Sequence, residues 1–234
     1  MTRLVFDVHQ DGAPRRLSVT IRHAVIAGWT GRDPAAISHH IEELAAIGVP
    51  PPSTVPLYYR IAASLLTQDD EIEVLGSGSS GEIEPVLFGA EGRLWLTLGS
   101  DHTDREAERA GVALSKQLCA KPVARSAWSW EAICGADAAS ADRLRLESWI
   151  GEAGRRVVYQ QGTLAQIRPL SALVEGLPAS AGFRLGDGVL MFCGTLGAIG
   201  GVRPASPFSG SIEDPASGRR IELAYRTSTL PVVA

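Results

Sequence analysis

The chain has 234 residues, 45% hydrophobic and 21% charged, with a formal net charge of −4. It is long and apolar enough to bury a large core, and its acidic balance with scattered arginines offers no basic face to a phosphate backbone, so nucleic acid is not an expected partner. Cys119, Cys134 and Cys193 form no Cys-x-x-Cys, and no apolar run nears the roughly 18 residues that span a bilayer. With no basic-then-apolar leader at the start, the expected setting is reducing cytoplasm, away from membranes.

In chain order, short alternating runs at Arg3 to Val8 and Leu17 to Ala27 predict strands. Asp33 as N-cap with Pro34 at the first helical position opens a helix that stops at Gly48, with Ile37, Ile41 and Leu44 as its apolar stripe. Gly76-Ser-Gly-Ser-Ser-Gly81 predicts a loop rather than a linker, because strand patterns flank it closely. Strands follow at Glu82 to Phe88 and Leu94 to Leu98, then a helix from about Thr103 to Leu118 with Asp104 and Glu106 in its first turn. Further strands are expected at Arg143 to Trp149, Val157 to Gln161, Val189 to Cys193 and Ile221 to Tyr225, with a short helix over Leu170 to Val174. The sum is a mainly β fold with few helices, of the α+β class.

In the run Glu82-Ile83-Glu84 side chains alternate, so both carboxylates project to one face. Closing the Gly89 to Gly92 turn as a symmetric hairpin pairs Glu82 with Gly99 and leaves Asp101 one diagonal step beyond Glu82 on that face. Diagonal neighbours lie about 7–8 Å apart, within reach of a shared ion. Three oxygen donors suit Mg²⁺, Mn²⁺ or Ca²⁺ better than zinc. On spacing alone, Glu-x-Glu is more often a solvated face. The apolar Pro85-Val-Leu-Phe88 behind it argues for a partly buried strand.

The order of motifs from about Gly31 to Thr227 resembles the fumarylacetoacetate hydrolase superfamily. Gly31-Arg32-Asp33 followed by His40-Ile41-Glu42-Glu43 resembles the family's Gly-Arg-Asn-Tyr opening and the His-x-x-Glu of its lid helix. Glu82-Ile83-Glu84 resembles its Glu-x-Glu pair, Asp101-His-Thr-Asp-Arg105 its Asp-x-x-x-Arg stretch, and Ser115-Lys116-Gln117-Leu118 its Ala-Lys-x-Phe. Gly186-Asp187 leads through an apolar strand to Gly194-Thr195-Leu196-Gly197-Ala198-Ile199-Gly200, similar to Gly-Thr-Pro-x-Gly-Val-Gly. The chain departs from the pattern at Leu196, at Leu118 and at Arg60, where a lysine often follows the lid.

The resemblance implies a mixed β-sandwich roll of the fumarylacetoacetase C-terminal type, a homodimer, and Mg²⁺ or Mn²⁺ held by Glu82, Glu84 and Asp101. Residues 1–234 then form a single catalytic domain, with 1–30 an N-terminal strand region packed on it and 31–60 a lid helix and loop. It also implies a small oxo-acid substrate, with hydrolysis, decarboxylation, hydration and isomerisation all within the superfamily. The helix offers two registers for the dyad, and helix geometry chooses between them. His40 with Glu43 borders the apolar stripe, about 70° off its centre, whereas His39 with Glu42 faces solvent.

The expected activity is divalent-metal-dependent hydrolysis of a C–C bond in an acylpyruvate-like oxo acid. His40, assisted by Glu43, activates water, and Lys116 stabilises the enolate left by cleavage. Arg60, Arg105, Gly194 and Thr195 bind the substrate. Lys121 reads as a charge that complements a helix end, His102 as either a partner of Asp101 or a surface residue, and the cysteines as core fillers. The alternative from another class is a non-catalytic scaffold that keeps the fold, its carboxylates merely structural.

Overall fold

The computed structural model describes residues 1–10, 13–46, 51–135 and 138–233. The main strands are β1 (Thr2–Gln10), β2 (Ala13–Ile21), β3 (His23–Gly28), β4 (Leu57–Ile61), β5 (Glu71–Leu75), β6 (Ile83–Ala90) and β7 (Arg93–Ser100). After them come β8 (Ser126–Ser129), β9 (Arg145–Glu152), β10 (Arg155–Thr163), β11 (Val189–Phe192), β12 (Phe208–Asp214) and β13 (Arg219–Leu230). Among the described residues five α-helices accompany them: α1 (Pro34–Ala46), α2 (Arg105–Ala110), α3 (Val112–Leu118), α4 (Trp130–Cys134) and α5 (Leu170–Ala181).

An eight-stranded sheet runs β2-β1-β8-β7-β6-β11-β3-β4 and a five-stranded one runs β10-β9-β12-β13-β5. Both are mixed, with parallel pairs at β1/β8, β11/β3 and β13/β5. The larger sheet curls strongly: Phe6 of β1 and Phe88 of β6 stack at 4.2 Å although two strands separate them in the sheet. Its concave face closes over Leu4, Phe6, Val8, Val86, Phe88 and Trp95. Its other face, through Leu87, Leu96, Leu98 and Met191, packs on Leu146, Ile150, Phe208, Ile212 and Tyr225 of the five-stranded sheet. The centre of the large sheet is therefore covered on both sides, which is why β6 reads as a nearly unbroken apolar run instead of an alternating one.

This architecture matches the expected mainly β roll, with local differences. The run Leu17 to Ala27 is two strands broken at Arg22, and the short helix at Leu170 extends through Pro178 to Ala181. The helix expected over Thr103 to Leu118 breaks at Gly111, whose N–H still closes α2 on Ala107 O while its own carbonyl opens α3 by accepting from Ser115 N. The break turns the chain, so that α2 buries none of its residues and α3 buries Ser115 and Lys116. Asp33 caps α1 as expected, its Oδ1 accepting from Ala35 N at 2.9 Å. Arg32 fastens that start, donating to Asp142 at 2.6 and 2.8 Å and to Ile167 O at 2.8 Å.

Candidate metal centre

The site is built on the β6–β7 hairpin, whose turn is Glu91-Gly92 with φ of 55° and 70°. Positive φ at both central residues matches the twist of the two strands and makes this a two-residue turn. The register pairs Glu84 with Gly99 and Ile83 with Ser100, and Asp101 N donates to Glu82 O at 2.9 Å. The four-residue turn expected from the sequence is thus corrected by two positions. Asp101 lies opposite Glu82 instead of diagonal to it, and because a shift of two preserves the faces, all three carboxylates still converge. One oxygen from each of Glu82, Glu84 and Asp101 lies within 4.8 Å of the others.

The remaining polar atoms fall into two groups around these acids. On one side Gly194 N donates to Glu84 Oε2 at 2.8 Å. Gly194 has φ 96°, and a Cβ there would sit 1.7 Å from Thr30 Oγ1, so no other residue brings this N–H to the carboxylate without displacing Thr30. Thr195 Oγ1 donates to Ile83 O at 2.6 Å and accepts from Gln160 Nε2 at 2.6 Å. Gln160 also donates to Leu196 O at 2.7 Å and accepts from Ile83 N and Ser148 Oγ at 3.0 and 2.9 Å. Gly194 and Thr195 therefore brace Glu84 and its strand.

On the other side stand the cations. Lys116 Nζ contacts Asp101 Oδ2, and Lys121 Nζ reaches Asp101 Oδ1 at 2.9 Å and also donates to His102 O. Lys121, expected to be a helix-end charge, is fully buried. Arg105 Nη2 pairs with Glu82 at 3.0 Å, Nη1 donates to Glu108 at 3.0 Å and Nε to Ser80 Oγ at 2.7 Å. Its guanidinium is engaged by the protein's own acids. Arg60 lies elsewhere, its Nη2 3.1 Å from His23 Nδ1 and its guanidinium 4.7 Å from the centre of the Phe183 ring. Adjacent strand residues face opposite ways, and it is Tyr59 whose ring lies 5.7 Å from Lys116 Nζ. His102 is buried beneath the site with Nδ1 2.8 Å from Tyr225 OH and Nε2 2.9 Å from Ser79 Oγ.

The charges polarise one another. Burial and the Asp101 carboxylate push Glu84 well above the usual carboxylate range. Burial also acts to raise Asp101, but Lys116 and Lys121 override it and hold this carboxyl below that range. Burial alone would lower Lys116; Asp101, Glu82 and Glu84 together raise it instead. His102 is pushed down to about 3 by burial and by Lys121 and Arg105, so it is neutral and both ring nitrogens are occupied.

The donor set fits a hard divalent ion. Its three ligands are carboxylate oxygens, and their span matches the separation across an ion with metal–oxygen distances of about 2.0 to 2.5 Å. No nitrogen or sulfur ligand joins them among the described residues. The side chains of His40 and Glu43 lie outside the described part of the molecule, while their backbone is helical within α1. His39 and Glu42 are exposed, as the stripe geometry expects. Sequence reasoning passed over Gln160, which resembles a solvent-facing polar residue of an alternating strand. It also passed over Arg168, whose Nε is buried with no hydrogen-bond partner among the described residues. Arg168 N donates to Thr30 O at 2.7 Å, next to Gly194.

This fold is shared with solved structures of a hydrolase, a dehydratase and a decarboxylase. A protein assigned as a fumarylpyruvate hydrolase from Burkholderia cenocepacia aligns with TM-score 0.60 at 19% identity, covering 99% of this chain and 97% of that one. The 2-keto-3-deoxy-D-arabinonate dehydratase complexed with magnesium and 2,5-dioxopentanoate aligns at 0.61 and 13%, covering 95% and 79%. The 4-oxalocrotonate decarboxylase from Pseudomonas putida G7 complexed with magnesium and adipate aligns at 0.56 and 15%, covering 88% and 77%. No curated protein sequence matches. The chain belongs to the family described as "Protein of unknown function (DUF2848)", whose model matches residues 27–225.

Proposed function

We propose that this protein is a magnesium-dependent enzyme acting on a small oxo acid, and that its reaction is hydrolysis of a C–C bond next to a keto group. The observation that carries the reading is the convergence of Glu82, Glu84 and Asp101 within 4.8 Å, beside two buried lysines. Glu82, Glu84 and Asp101 would hold the ion, which when bound polarises the oxygens of a chelating substrate. That a dehydratase and a decarboxylase of this fold were complexed with magnesium supports the choice of ion.

The chain's own residues do the rest. His40, with Glu43 as its helper in this reading, takes a proton from water, whose hydroxide adds to the keto carbon. The bond to the neighbouring carbon breaks, its electrons pass to an enolate, and the proton completes the second product. The Lys116 and Lys121 ammoniums face that developing negative charge in a site from which water is largely excluded. Arg168, with no ion pair among the described residues, receives the substrate carboxylate, since Arg105 is committed to Glu82 and Glu108. Decarboxylation is the second reading, and the paired lysines favour it, because an enolate arising by loss of carbon dioxide needs the same cations and no activated water.

A panel of acylpyruvates and β-keto diacids, assayed with Mg²⁺ and again with chelator, tests this. Release of pyruvate from an acylpyruvate, abolished by chelator and by Glu84→Gln, is the expected result. Carbon dioxide release from the diacids alone moves decarboxylation ahead, and no metal-dependent turnover of either class leaves the scaffold reading.

A further inference from the structure

The carboxylates of this site already have a cation of their own. Lys116, in the last turn of α3, places its ammonium on Asp101 Oδ2, the acid that shares the ion-binding face with Glu82 and Glu84. We propose that Lys116 and the divalent ion are alternative occupants of these carboxylates. Without the ion, Lys116 neutralises the cluster and keeps it assembled; when the ion enters, Lys116 leaves Asp101 and turns toward the substrate side. The inference rests on the magnesium reading above and adds a built-in competitor to it.

Charge balance supports the exchange. Four carboxylates, Glu82, Glu84, Asp101 and Glu108, face three cations, Lys116, Lys121 and Arg105, one formal negative charge from neutrality. A divalent ion added to that set would leave it one charge positive in a buried place, with a lysine pressed against the new ion. With Lys116 turned out, the set balances. Like charges at contact distance in such surroundings repel strongly enough to decide which of them stays.

The geometry also says which lysine moves. Lys121 is wholly buried and doubly fastened, to Asp101 Oδ1 and to the His102 carbonyl. Arg105 is held at three points. Lys116 has one anchor, Asp101 Oδ2, and lies at the margin, its side chain 8% exposed and its ammonium beside the Tyr59 ring. A lysine is a point charge on a four-carbon stem, so it can release one oxygen and swing without disturbing the backbone, which a forked arginine could not.

The test is calorimetric titration of Mg²⁺ into metal-stripped wild type, Lys116→Met, Lys116→Gln and Glu84→Gln. It is paired with amine labelling of the wild type, read by mass spectrometry, with and without saturating Mg²⁺. The proposal expects both Lys116 variants to bind Mg²⁺ roughly tenfold tighter or more. In the wild type, Mg²⁺ should raise labelling of Lys116 while Lys121 stays protected. Equal or weaker affinity in a folded Lys116 variant, or Lys116 labelling that Mg²⁺ does not change, overturns the exchange and leaves the magnesium reading standing, provided Glu84→Gln loses binding. Should Mg²⁺ bind to none of the four proteins, the magnesium reading fails and the exchange with it. If neither variant folds, the wild-type labelling decides.

Discussion

Two buried aspartates, both crowded by cations, show how differently a protein can hold a negative charge. Asp214, at the end of β12, accepts from Arg143 through both oxygens at 2.8 and 3.2 Å, from Ser217 Oγ at 2.8 Å and from Ala216 N at 3.1 Å. Every lone pair has a directional donor, two of them from the tight turn that follows, and the side-chain hydrogen bond from Arg143 holds its pKa at about 2. Asp101 is instead held by two lysines, with Thr103 Oγ1 at 3.3 Å, and looks toward two further acids. A bidentate arginine fixes an orientation, whereas lysines supply charge that can be exchanged. The first arrangement fastens a corner of the five-stranded sheet. The second keeps an unfavourable group of acids together until something else binds.

Asp101→Asn and Asp214→Asn should separate the two roles. In Asp101→Asn, Mg²⁺ affinity falls by at least about 100-fold, near 3 kcal/mol, since one of three charged ligands is lost. Stability drops as well, because Lys116 and Lys121 are left buried around a neutral amide. In Asp214→Asn, chemical denaturation should report a loss of about 2 kcal/mol, as for removing the charge from a hydrogen-bonded carboxylate whose arginine partner is partly exposed, with Mg²⁺ affinity within about twofold of wild type. A metal-binding defect in Asp214→Asn would break the distinction between the two regions.

Gln160→Met sharpens it further. The substitution removes the donors and acceptors that join Ile83, Ser148, Thr195 and Leu196, so Glu84 and its backing strand lose their brace. A loss of about 2 kcal/mol in stability and a several-fold rise in the Mg²⁺ dissociation constant are expected, since buried polar groups are left unpaired. Unchanged affinity would mean that Gly194 alone positions Glu84.

The smallest effect is one of pH. Asp214 has a folded pKa of about 2 against an ordinary carboxylate value near 3.8. A lowered folded pKa means that its contribution is present in full above the ordinary value and declines as pH falls toward 2. Thermal melts of the wild type should therefore lose stability between about pH 4 and pH 2. The Asp214→Asn protein should show a shallower fall, and parallel curves would exclude this carboxylate as the titrating group.

How legible all this was in the sequence follows from the range of the interactions. Alternation in Glu82-Ile83-Glu84 and the downstream Asp101 are local patterns, and a two-residue error in register left the face intact. Asp33-Pro34 announced α1 in the same way. The strands passed over, β4, β5, β8 and β12, lack a local signal strong enough to stand alone. In β12, Ser209-Gly210-Ser211 looks like a loop, yet Gly210 is there because a Cβ would come within 2.5 Å of the Ile83 side chain. Lys121 looks like a helix-end charge until its short parallel pairing with Leu66 carries it inward beneath Asp101. Arg60 and Arg105 illustrate the reverse, since both carry charge suited to a carboxylate, but strand facing sets Arg60 against His23 and Phe183 while Glu82 and Glu108 engage Arg105. Such placements are decided by distant parts of the chain.

The central claim is that Glu82, Glu84 and Asp101 form one ion site, and anomalous diffraction from crystals soaked in Mn²⁺ as a heavy reporter of the Mg²⁺ position tests it most directly. The account predicts a single strong peak about 2.2 Å from an oxygen of each carboxylate, with Lys116 turned away from Asp101. A peak elsewhere, or none with Lys116 still on Asp101, would contradict it.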